Sequence, residues 1–141
     1  TDVEGLIPKQ FNAIPNKFCI EGLILCSIDV TDFEFVDFIN LEFLKLSGVE
    51  GLTAAQFNAI PNKGIIKRLF LGDVNVAGFD FSKFENLRVL DLNGAKGLTA
   101  TQFNSIPNKA SIEGIGLEKI NVKGFSLLGL TNLREFGSSR A

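Results

Sequence analysis

The sequence predicts an α/β repeat array, on three observations. Three ungapped 46-residue units, 4–49, 50–95 and 96–141, fill the 141-residue chain. Each unit holds two copies of a short strand pattern. Each also carries the signature of one short helix. Self-similarity at a period of 20–50 residues marks a solenoid, propeller or array, because no single repeat can bury its apolar face alone.

The strand pattern is apolar-x-x-apolar-x-apolar and begins at Ile20, Leu41, Ile66, Leu87 and Ile112. A shortened sixth copy begins at Leu133 with Phe136. Spacings alternate between 21 and 25 residues. The period-2 ending (Leu23 and Leu25, Leu44 and Leu46, and their equivalents) predicts a strand with one buried face.

The helix lies in the 25-residue arms. Thr53 with Gln56, and Thr99 with Gln102, form capping boxes, in which each side chain satisfies an orphan amide of the first turn. The first unit has Ile7-Pro8-Lys9-Gln10 instead, with Pro8 tolerated in the first turn. Ile-Pro-Asn at residues 14–16, 60–62 and 106–108 ends each helix after about two turns, since the residue before proline avoids helical backbone. The 21-residue arms are too short for a full helix. They read as a 3₁₀ turn or extended segment, with Phe33, Phe35 and Phe38, then Phe79, Phe81 and Phe84, then Phe125, Leu127 and Leu130 plugging the core.

The L-x-x-L-x-L repetition resembles the leucine-rich repeat family from about Gly5 to Phe136. The long arms, as in LRVLDLNGAKGLTATQF, resemble cysteine-type, F-box-associated repeats. The short arms, as in FSKFENLRVLDL, resemble bacterial or receptor types. The resemblance implies one right-handed solenoid domain over residues 1–141. It implies a parallel sheet on the concave face and short helices or 3₁₀ turns on the convex face. One departure stands out. Where many such repeats place Asn or Cys after the strand, this chain has Ile28, Val49, Val74, Ala95 and Ile120. The turn backbone then needs other partners.

Composition narrows the chemistry. With no His there is no His general base and no His ligand, which excludes serine–histidine triads and most zinc sites. The net charge of −2 and the lack of a long basic run argue against a nucleic-acid partner. No apolar run reaches the roughly 18 residues of a membrane helix. Cys19 and Cys26, seven residues apart near one strand, lie too far apart for a disulfide. Two unpaired thiols and no signal-peptide pattern favour a cytoplasmic setting. Asp29, Asp32, Glu34 and Asp37 lack the calcium-loop pattern. No catalytic residue, cofactor or metal is expected, and Q-F-N-A/S-I-P-N-K, present three times, reads as framework.

The outward strand positions carry the functional expectation. The middle strands contribute Phe43, Phe70 and Val89 as exposed apolar residues, ringed by Lys45, Lys67, Arg68, Arg88 and Asp91. An apolar centre with an arginine-containing rim is typical of protein-binding hot spots. The expected function is a non-catalytic scaffold that binds a protein or peptide. A second reading is an engineered or fragmentary repeat scaffold with no dedicated ligand. Its ends lack a capping helix or disulfide and would allow self-association.

Overall fold

The alternating Leu-x-Leu segments become six three-residue strands in one sheet. The computed structural model describes residues 3–137. In chain order they are β1 Gly22–Ile24, β2 Phe43–Lys45, β3 Arg68–Phe70, β4 Val89–Asp91, β5 Gly114–Gly116 and β6 Glu135–Gly137. Sheet order equals sequence order, and every neighbouring pair is parallel. An open parallel sheet wound in sequence order is compatible with a repeat solenoid. Registration places Leu23, Leu44, Leu69, Leu90, Ile115 and Phe136 in one row. That row faces the core, and all but Phe136 are buried.

Three five-residue helices precede the odd-numbered strands: α1 Pro8–Asn12, α2 Ala54–Asn58 and α3 Ala100–Asn104. The Thr53 and Thr99 hydroxyls accept from the Gln56 and Gln102 amides, each at 3.1 Å. The Gln side chains accept in return from the Thr53 and Thr99 backbone N–H at 2.8 Å. Ile7 has no acceptor, so α1 keeps only the half in which Gln10 Oε1 accepts from Ile7 N. The prolines end the helices as expected. Asn16, Asn62 and Asn108 follow in left-handed backbone, at φ 59°, 52° and 49°.

The 3₁₀ turns lie elsewhere than expected. They are Lys17–Cys19, Lys63–Ile65 and Lys109–Ser111, in the long arms, directly before the strands. The short arms are runs of turns. Asp80 Oδ1 accepts from Ser82 N and Oγ, and Asp29 Oδ1 does the same for Thr31, so local side-chain bonds replace a helical ladder.

Phenylalanine fills the space between arms. Phe11, Phe57 and Phe103 are fully buried. Each stacks on the next short arm: Phe11 on Phe33 at 4.4 Å, Phe57 on Phe79 at 4.3 Å and Phe103 on Phe125 at 4.6 Å between centroids. In the third unit the expected plug fails. Leu127 is 36% exposed, and Phe125 and Leu130 are only partly buried, because no later coil among the described residues covers them.

The amides of the repeated motif join coil to coil. Gln56 Nε2 donates to Val30 O (2.9 Å) and Phe33 O (2.8 Å), and Gln102 Nε2 repeats this on Val76 and Phe79. Asn58 spans the next short arm, donating to Gly78 O and accepting from Asp80 N. Asn12 and Asn104 do likewise. Where the resemblance led one to expect a polar residue, Val49, Val74 and Ala95 are buried. The backbone there finds partners across coils, as in Val30 N to Glu50 O and Glu50 N to Ile28 O. That crossing needs a sharp bend at Gly51, whose φ is 78° and where a Cβ would lie 2.2 Å from Thr31 Oγ1.

Phe57→Ala should cost about 3–5 kcal/mol in urea unfolding, the range for emptying a buried phenylalanine site. Gln56→Ala should cost about 1–3 kcal/mol more than Gln10→Ala, because it leaves the Phe33 carbonyl without a donor and removes one of the two bonds to Val30 O, as well as breaking a cap. Equal costs would refute the coil-joining role.

Candidate functional site

The sheet face turned away from the core is built from the strand residues on either side of each inward residue. Registration arranges them in two rows. One runs Gly22, Phe43, Arg68, Val89, Gly114, Glu135; the other Ile24, Lys45, Phe70, Asp91, Gly116, Gly137. The eight residues singled out from the sequence therefore fall together. Six lie in these rows on three adjacent strands, while Lys67 and Arg88 stand immediately before β3 and β4.

Their exposure differs from expectation in one respect. Phe70 is 2% exposed, and Phe43 and Val89 are half-buried. Phe70 stands outside the main core. The Phe43 ring meets it edge to face at 5.4 Å, and Lys45 Nζ lies 5.5 Å from its centroid. Arg68 lies 5.9 Å over Phe43. A cation above each ring is favourable because the ring face carries negative charge. Phe70 is thus the floor of this patch rather than its surface, and Phe43 and Val89 are what a ligand would touch.

Charge is distributed unevenly along the rim. Lys67 pairs with Glu42 at 3.6 Å and Arg88 with Glu113 at 3.2 Å. Arg68 makes no ion pair among the described residues, although it is exposed. Phe43, Arg68 and Val89, with the two ion pairs, line an open groove of about 470 Å³. Gly22 and Gly114 add no side chain to the row that holds Phe43, Arg68 and Val89.

Sequence reasoning missed Asn93. Its Oδ1 accepts from Glu118 N at 2.8 Å, and its side chain lies over Gly116, where a Cβ would sit 2.6 Å away. Glycine at 116, where the other units have Ile24 and Phe70, was the available signal. The Asn93 backbone N–H also donates to Asp91 Oδ1. Burial nevertheless pushes the Asp91 carboxyl above its usual range, outweighing that bond and the nearby Lys45.

Asp29 is held below the usual carboxylate range by the Thr31 hydroxyl and amide, so its oxygen is engaged in a turn. Among the described residues no three His, Cys, Asp or Glu side chains gather to hold a metal ion, and no helix is long and apolar enough to cross a membrane. Cys19 is exposed, Cys26 half-buried, and both are free thiols. Compared with protein-family models, curated proteins and solved structures, the chain finds no match.

The Asp91 shift carries a sign. Its folded pKa lies above the unfolded value of about 3.9, so its favourable contribution is complete below that pH and is lost as pH rises through the folded pKa. Asp91→Asn should therefore raise the urea midpoint at pH 7. The gain should shrink as pH falls from 6 to 3; a gain independent of pH would contradict the burial of the charge.

Proposed function

We propose that the chain is a right-handed leucine-rich-repeat solenoid whose concave sheet face binds a protein or peptide without catalysis. Alternating 25- and 21-residue arms, each returning to a parallel strand, support that assignment. The observation that carries the function is the Phe43–Phe70–Val89 patch with an unpaired Arg68 beside it. Arg68 has donors to spare, and a guanidinium engages a carboxylate through two parallel hydrogen bonds. The ligand best matched is an extended segment with one apolar side chain set against Phe43 and Val89 and a carboxylate reaching Arg68. Lys45, Lys67 and Arg88 add positive potential around that contact, which speeds encounter with an acidic partner.

Selection from a displayed random-peptide library tests this reading. Enriched peptides should pair an apolar residue with an acidic one. Phe43→Ala together with Arg68→Ala should weaken their binding at least about tenfold, as hot-spot losses above 1.4 kcal/mol do. Phe70→Ala is the wrong probe, since it removes the patch floor. Peptides that bind the double variant as well as the parent chain would refute the concave site.

A further inference from the structure

The open surface beside the concave patch continues past its ion pairs. The groove of about 470 Å³ over Phe43 and Val89 adjoins a second depression of about 610 Å³, and Glu42–Lys67 and Arg88–Glu113 line both. The second adds Gly64, Ile65, Asn86 and Ser111, from the turns and loops that lead into β3, β4 and β5. All of these residues belong to the coils of β2 to β5, each of which has a neighbouring coil on both sides. Their exposure therefore does not depend on where the array stops.

Ile65 is the apolar residue of this depression. It is 39% exposed, while Lys63 and Ile66 on either side of it are buried. The flanking Lys and Ile recur in every unit, at 17 and 20, 63 and 66, 109 and 112. The two positions between them differ: Phe18-Cys19, Gly64-Ile65 and Ala110-Ser111. The variation seen at the outward strand positions thus extends into the 3₁₀ turns. Gly64 is not required by its backbone, which is not left-handed, and a Cβ there would meet nothing closer than Glu85 Oε2 at 3.8 Å. What the glycine leaves is room beside Ile65.

Charge and reach select what can occupy both grooves. Arg88 N–H donates to Lys67 O at 2.7 Å, so the two cations are neighbours, and their carboxylate partners stand on the outer coils. A ligand running along the strand direction from the Phe43–Val89 patch to Ile65 crosses between Lys67 and Arg88, with Arg68 beside it. A carboxylate is favoured at that crossing. Ile65 and Arg68 are three residues apart, at most about 10 Å of chain. A peptide in polyproline-II conformation rises about 3.1 Å per residue and presents residues i and i+3 on one face, about 9 Å apart.

We infer that the peptide of the proposed function, a reading on which this one rests, lies along the strands and sets a second apolar side chain against Ile65. Its two apolar residues are three apart, and its acidic residue stands between them. Ile65 and Gly64 are then specificity-determining residues, which accept an apolar-x-x-apolar segment with Asp or Glu at one x.

Peptides enriched by the parent chain from the displayed random library, synthesised and titrated by fluorescence anisotropy, test the second subsite. They should show the apolar-x-x-apolar spacing. Ile65→Ser and Gly64→Phe install residues that the third and first units already hold at these positions, so both variants should keep the parent's urea midpoint. Each should weaken the enriched peptides about three- to ten-fold. Changing one of the two apolar peptide residues to alanine should cost a similar factor on the parent, and should leave Ile65→Ser with no further effect. Unchanged affinity in both variants, or fully additive losses for Ile65→Ser with each apolar peptide residue, would overturn the second subsite. If Phe43→Ala with Arg68→Ala still weakened those peptides, the first site would stand without it. Peptides indifferent to Phe43→Ala with Arg68→Ala, or no enrichment at all, would overturn the concave site and the second subsite together.

Discussion

No coil of this protein can cover its own apolar side, and that constraint governs the rest. A 21- or 25-residue coil supplies a three-residue strand, a few turns and one sheet-facing row. Its phenylalanines and leucines leave water only when the next coil lies against them. The contrast is visible within one chain: Phe33 and Phe79 are buried between coils, while Phe125 in the last coil is only partly so. Stability is therefore assembled at junctions, through phenylalanine stacking, strand pairing and the amides of Gln56, Gln102, Asn62 and Asn108.

The same constraint explains the conservative framework beside a variable face. Residues that meet the neighbouring coil do several jobs at once. Gln56 closes a helix cap and satisfies two carbonyls of the preceding unit. Lys63 reaches back to the Asn58 and Ile60 carbonyls at a helix end, and burial lowers its pKa. Such residues repeat at every 46th position. The outward strand positions lie outside the main core, so Ile24, Phe70 and Gly116 differ between units, with local neighbours adjusted to match: Phe43 covers Phe70 and Asn93 lies over Gly116. The proposed binding patch sits where this freedom is greatest.

Framework residues were legible because their chemistry is local or periodic. The capping boxes, the Ile-Pro-Asn stops and the Leu-x-Leu strands each follow from a few neighbouring residues. The patch was legible as a set of residues, since period-2 strands in register must bring Phe43, Arg68 and Val89 together. Its depth was not. Whether Phe70 faces solvent depends on where Phe43 and Lys45 lie across strand boundaries, and spacing alone carries no rotamer. The same limit hid Asn93, which reaches across to a glycine one strand away.

By itself, the sequence determined the 46-residue repeat, the six strand segments, the three short helices and the phenylalanine plugs of the first two units. All of these arise from patterns within about ten residues, repeated until chance is excluded. Tertiary structure decided the rest: the 3₁₀ turns before the strands, the cross-coil bonds of Gln and Asn, the sunken Phe70 and the incompletely covered end coils. All but the 3₁₀ turns, which close locally on the carbonyls of Asn16, Asn62 and Asn108, depend on two segments 20 or more residues apart, and on whether a neighbour is there to cover a given side chain. That is a property of stacking, which the composition of a single coil does not contain.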